Sequence, residues 1–95
     1  MAERLTHEQI EEGLEGSGWS RDGDSIVRDF ELKDFVSAMA FVNAVAEIAE
    51  GVNHHPDILI HHWNKVRLTL WTHTVGGVTQ SDFDLSRGID GLSGG

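Results

Sequence analysis

The sequence predicts an α+β domain: a four-stranded, mostly antiparallel sheet with three helices packed on one face, in the order α-β-β-α-β-β-α. Three observations predict it. Residues 19–32 and 58–72 each hold two apolar runs, most of them alternating with polar residues, about a turn, as hairpins do. Three other stretches, near 6–15, 34–51 and 79–89, space apolar residues three and four apart behind helix-capping residues. The chain of 95 residues has room for one core, so residues 1–95 read as a single domain without repeat or linker.

Taken in order, Thr6-His7-Glu8-Gln9 has the form of a capping box, with Thr6 as N-cap and Gln9 reaching back. The helix should run to about Leu14 or Glu15, with Ile10 and Leu14 packing inward and Leu5 as a staple, and Gly16-Ser17-Gly18 stops it. His7, in its first turn, reads as a surface residue. The first hairpin turns at Asp22-Gly23, a dipeptide suited to positive φ. Beyond it Ile26, Phe30 and Leu32 share a face on which Arg28 is the exception. Trp19, before the turn, is either a core aromatic or a planar pocket wall.

Asp34 is the expected N-cap of the long helix, which should end near Gly51. Phe35, Met39, Val42 and Ala46 form its leading apolar stripe, which Ala38, Val45 and Ala49 widen; Glu47 and Glu50 mark the polar side. In the second hairpin residues 61–65 hold the turn. Val66, Leu68 and Leu70 share one face of its longer strand and Arg67, Thr69, Trp71 and His73 the other. For His73 to reach a pocket on the core side, the strand end must bend or a second subunit must cover that face. Val75-Gly76-Gly77-Val78 reads as a flexible connection, and Thr79-Gln80-Ser81-Asp82 as a second capping box. It opens a helix through Ile89 with Phe83, Leu85 and Ile89 packing, and residues 91–95 should fray.

Composition narrows the function. Lys and Arg number 7 against 16 Asp and Glu, a formal net charge of −9, which repels phosphate backbones and argues against nucleic acid as a partner. No apolar run approaches the roughly 20 residues of a membrane span. The polar opening Met1-Ala2-Glu3-Arg4 predicts no signal peptide, and the absence of cysteine fits a reducing, cytoplasmic setting. A core this small buries roughly 60–70% of the surface of the unfolded chain, so association with further copies is expected.

Chemistry concentrates in residues 53–73: these 21 positions hold five of the six histidines, the only proline and two of the three tryptophans. Pro56 biases His55 toward an extended conformation, so the long helix should stop just before it and the chain should exit sharply. A hairpin then returns to His73. Metal binding is disfavoured, because neighbours such as His54-His55 and His61-His62 point to opposite sides in extended chain and no ligand spacing such as HExxH occurs. Structural or surface roles suit His61 and His62, which fall at a turn. Acid–base chemistry needs two groups titrating near neutrality on either side of a reacting bond, which imidazoles supply. Glu50, four residues before His54, is placed to orient one of them.

The set Glu50-x-x-x-His54-His55-Pro56, Trp63-Asn64-Lys65-Val66, Leu70-Trp71-Thr72-His73 and Gly76-Gly77-Val78-Thr79 with Asp82 resembles the pterin-4a-carbinolamine dehydratase family. The resemblance extends upstream through Gly18-Trp19, Phe30 and Lys33-Asp34-Phe35, and covers the chain from about Leu14 to Ile89. It implies a four-stranded antiparallel sheet with helices along one side. It also implies dehydration of 4a-hydroxytetrahydropterin to quinonoid dihydropterin, in pterin cofactor recycling, without metal or redox cofactor. By position His54, His55 and His73 match the three active-site histidines, with His54 and His73 moving protons and His55 mainly holding the pterin. Asn53, Trp71, Thr72 and Thr74 match substrate-contacting positions; Glu50 becomes an orienting carboxylate, with Pro56 and Trp19 beside the pocket. Members often carry serine where this chain has Trp71. The family forms homodimers and homotetramers. Relatives also serve as binding modules, as a dimerisation cofactor for a homeodomain transcription factor or as Rubisco assembly factors, which is the alternative reading.

Overall fold

The computed structural model describes residues 3–93. Its elements are α1 (His7–Leu14), β1 (Ser20–Asp22), β2 (Ser25–Glu31), α2 (Phe35–Val52), β3 (Asp57–His61), β4 (Lys65–Leu70) and α3 (Gln80–Ser93), in the expected α-β-β-α-β-β-α order. The four strands form one antiparallel sheet in the order β1-β2-β4-β3. Ile26, Phe30, Val66, Leu68 and Leu70 on one sheet face share a core with Ile10 of α1, Ala38, Phe41 and Val45 of α2, and Phe83, Leu85 and Ile89 of α3. Burying that single apolar face, at about 25 cal/mol per Å² removed from water, is what holds the helices to the sheet.

The local signals act as their chemistry dictates. Thr6 Oγ1 accepts from the Gln9 N–H while Gln9 Oε1 accepts from the Thr6 N–H, a complete capping box. The first hairpin turns one residue later than the dipeptide suggests: Asp22 pairs with Ser25, so Gly23 and Asp24 form the loop and Gly23 takes φ +61°. Arg28 stays on the core face by laying its guanidinium over Phe30, 4.7 Å from the ring centroid, and donating to Asp90 of α3 at 2.6 Å. Trp19 is buried, edge-on to Phe30, with Nε1–H donating to Asp90 at 2.9 Å. It is a core residue that ties the first hairpin to α3.

Three expectations need correction. The buried stripe of α2 is Ala38, Phe41, Val45 and Ala49, whereas Phe35 and Met39 of the expected leading stripe remain 51% and 37% exposed. Both stripes are apolar, so periodicity could not choose; the face carrying small residues lets the helix settle close to the sheet. By length and composition α2 could also cross a membrane, although it holds Glu47 and Glu50; its Ala38 stripe instead packs into the core. The stretch 75–78 is a packed turn, with Gly77 and Val78 buried and the Val78 carbonyl accepting from the Leu5 N–H at 2.8 Å. Finally, α3 continues through Gly91 to Ser93, so the expected fraying does not begin at Gly91; residues 94 and 95, like Met1 and Ala2, lie outside the described residues.

Asp34 caps α2 as expected, accepting from the Ser37 N–H at 2.7 Å, and this backbone hydrogen bond holds its carboxyl below the ordinary aspartate value. A carboxyl that titrates lower in the folded chain contributes stability above its unfolded value, about 3.9, and loses it as pH falls through the folded one. Asp34→Ala should therefore lower the urea midpoint at neutral pH, with the deficit shrinking in strong acid. A deficit that is the same across that range would show that the charge plays no part.

Candidate active site

The site begins where α2 ends. Asn53 adopts the left-handed conformation (φ 52°, ψ 44°), its N–H donates to the Glu50 carbonyl, and the His54 N–H donates to the Ala49 carbonyl at 3.1 Å. This paired pattern is a Schellman motif, with asparagine in the position that tolerates positive φ. It turns the chain by a sharp angle directly before Pro56, so the successive imidazoles of His54 and His55 diverge.

Each then meets a different carboxylate. His54 Nε2–H donates to Asp82 Oδ1 at 2.6 Å, while the His55 ring bonds Glu50 through Nε2. Glu50 therefore orients His55, not the His54 that lies four residues after it. The helix stops at Val52, and with it the i,i+4 geometry that would have joined Glu50 to His54. The two pairs differ in surroundings. The His54 side chain is 18% exposed against a fully buried Asp82, whereas His55 and Glu50 both stand in solvent.

Asp82 was legible from sequence as a capping residue and as part of the resemblance, with no partner in the site. Its Oδ2 does serve the start of α3, accepting from the Thr79 N–H at 2.9 Å, but it also accepts from Thr72 Oγ1–H at 2.8 Å. Thr72 Oγ1 in turn lies 2.8 Å from Thr79 Oγ1. Because a carboxylate only accepts, the protons run from Thr79 to Thr72 to Asp82 on one side and from His54 Nε2 to Asp82 on the other. This sets the tautomer of neutral His54, with the proton on Nε2 and the lone pair on Nδ1.

The strand end supplies the rest. β4 stops at Leu70, and the Thr72 N–H donates to the Gly77 carbonyl at 2.8 Å, closing a turn over residues 73–76 in which Gly76 takes φ +65°. Thr72 continues the core-facing parity of Leu70, and Trp71 and His73 stand on the other side with their rings 4.0 Å apart. His73 thus keeps the non-core parity read from the sequence and stands at the start of this turn.

These segments enclose an open depression of about 470 Å³ lined by Asn53, His54, His55, Trp71, Thr72, His73 and Thr74. Neither Trp19, which lies in the core, nor Pro56 or Glu50 lines it; Trp19 is thus corrected from pocket wall to core residue. A larger depression of about 600 Å³ lies on the uncovered sheet face among Asp29, Phe30, Glu31, Leu59, His61, Lys65 and Arg67. Two of its charges are paired across strands, Arg67 with Asp29 at 2.8 Å, and that hydrogen bond holds the Asp29 carboxyl below its usual value. The smaller depression is the one that gathers three imidazoles, His54, His55 and His73. His61 and His62 lie away from it at the β3–β4 turn, their Nδ1 atoms 2.7 Å apart. Among the described residues no three His, Asp or Glu side chains are grouped to hold a metal ion.

Asp82→Asn replaces one acceptor oxygen of a fully buried carboxylate by a donor facing other donors. It should cost about 1–3 kcal/mol of stability by urea unfolding, while Asp84→Asn, exposed on the same helix, should cost almost nothing. Equal stabilities of the two variants would show that the buried network is dispensable.

Comparison with known proteins identifies the family. Residues 3–92 match the family described as Pterin 4 alpha carbinolamine dehydratase. A Roseiflexus protein named "Putative pterin-4-alpha-carbinolamine dehydratase" is 53% identical over 91 residues, which span 95% of this chain and 97% of that one. Among solved structures, a transcriptional coactivator/pterin dehydratase from Brucella melitensis superposes with a TM-score of 0.89 at 34% identity, covering 95% of this chain and 98% of its own. A pterin dehydratase-like protein described as a RuBisCO assembly factor in the alpha-carboxysome shares the fold, with a TM-score of 0.69 at 23% identity over 83% of this chain and 93% of its own. With the matched region spanning almost the whole sequence, the chain belongs to the pterin-4-alpha-carbinolamine dehydratase family.

Proposed function

We propose that the protein is a hydro-lyase that dehydrates 4a-hydroxytetrahydropterin to quinonoid dihydropterin and water. The observation that carries this reading is the open depression in which three imidazoles surround a space of about 470 Å³, two of them already bonded to carboxylates. Hydroxide is a poor leaving group. An imidazolium protonates the C4a oxygen as the C–O bond breaks, and a neutral imidazole takes the proton from a ring N–H as the new double bond forms. The proton given and the proton taken cancel, and one water leaves. Two histidines suffice, because imidazole holds both protonation states near neutral pH.

His54 and His73 take the proton-transfer roles in this reading. The Asp82 bond commits His54 Nε2 and leaves Nδ1 as its working nitrogen. His55, turned toward Glu50, holds the pterin together with Asn53, Trp71, Thr72 and Thr74. Stopped-flow absorbance on freshly generated 4a-carbinolamine tests the activity directly. Dehydration no faster than the uncatalysed rate would hand the protein to the alternative, a binding or assembly module like the dehydratase-like neighbour. Given activity, His54→Ala and His73→Ala should each lower kcat by about 10²-fold or more, and His55→Ala should act chiefly on KM. Near wild-type rates in the first two variants would remove the assignment.

Association into homodimers or homotetramers belongs to the same proposal. β3 is an edge strand with Ile58 39% and Leu59 54% exposed, an open template for pairing. Paired antiparallel with a second copy about a twofold axis at Leu59, it sets the Asp57 carboxylate opposite the His61 imidazole, an acceptor facing a ring that can donate. Leu59→Lys places like charges at that axis and should lower the mass measured by sedimentation. An unchanged mass would exclude this edge as the contact.

A further inference from the structure

We propose that Trp71 is the positioning residue for His73, fixing that imidazole by ring stacking where the other two are fixed by carboxylates. Its kinetic consequence rests on the dehydratase reading above; its structural consequence does not. His54 is bonded to Asp82 and His55 to Glu50. Among the described residues the His73 ring has no hydrogen bond, and only its backbone carbonyl is engaged, by the Gly76 N–H at 3.3 Å. An exposed side chain on a turn hops between rotamers in picoseconds to nanoseconds unless something holds it. What touches this ring is the Trp71 indole, with centroids 4.0 Å apart and planes 30° from parallel.

The backbone that carries the indole is well anchored. Leu70 before it is fully buried, and Thr72 after it is held by the Gly77 carbonyl and the Asp82 carboxylate. Its Nε1–H points to Asp57 Oδ2 on β3 at 3.4 Å, a long contact that restrains the ring plane against the neighbouring strand. A rigid platform thus covers one face of the imidazole and restricts its rotation. A catalytic group that spends more time in its productive orientation raises kcat without tightening the binding of substrate.

The test separates position from catalysis. Histidine-selective NMR of the substrate-free protein should find the His73 ring protons shifted upfield by the indole ring current. Trp71→Leu should return them to the values of a free histidine, and Trp71→Phe should keep part of the shift. In the dehydration assay Trp71→Leu should lower kcat by about ten- to a hundredfold, the range for a misplaced group, with a smaller change in KM and partial recovery in Trp71→Phe. Unshifted His73 protons in the wild type, or a Trp71→Leu variant with raised KM and unaltered kcat, would overturn the proposal, the second outcome making Trp71 a plain wall. A wild-type protein without dehydratase activity would end the proposed function, and the ring-current comparison would still decide the stacking.

Discussion

Asp82 is fully buried and accepts hydrogen bonds from His54, Thr72 and the Thr79 backbone, three groups from three separate segments. A carboxylate cut off from water is tolerated only when its lone pairs are met, so the segments that meet them must arrive together. The end of α2 delivers His54, the end of β4 delivers Thr72, and the start of α3 delivers both Thr79 and Asp82. The helix cap and the candidate site are therefore one structure, because the oxygen opposite the capping one holds the imidazole. Polar satisfaction around this point is complete: among the described residues no buried side-chain nitrogen or oxygen lacks a partner.

The three imidazoles of the depression sit in graded surroundings. His54 is half-buried against an interior carboxylate, His55 is exposed against an exposed one, and His73 is exposed against an indole. The Schellman turn at Asn53 creates the difference between the first two, by sending adjacent residues to opposite sides. The Gly76 turn follows directly after His73 and leaves that ring beside the Trp71 indole.

Away from the site, the molecule leaves apolar surface uncovered. Phe35 and Val36 at the start of α2, Val52 at its end, and Ile58 and Leu59 of β3 are all substantially exposed. Such a surface on a small domain is costly in water. On the uncovered sheet face Leu59 stands beside the Asp29–Arg67 ion pair.

Family resemblance named the residues that come to line the depression; the linear sequence by itself determined the element order, the caps at Thr6 and Asp34, and the end of α2 before Pro56. These rest on local chemistry: side chains that bond the backbone within four residues, alternation along a strand, and the steric reach of proline. Only the tertiary structure decided which apolar stripe of α2 went inward, that Trp19 belongs to the core, that Glu50 serves His55, and that Asp82 serves His54 across 28 positions. Each of these depends on which groups compete for the same space or the same proton once distant segments are packed. No periodicity along the chain carries that information, because it comes into being only when burial forces a buried donor and a buried acceptor to find one another.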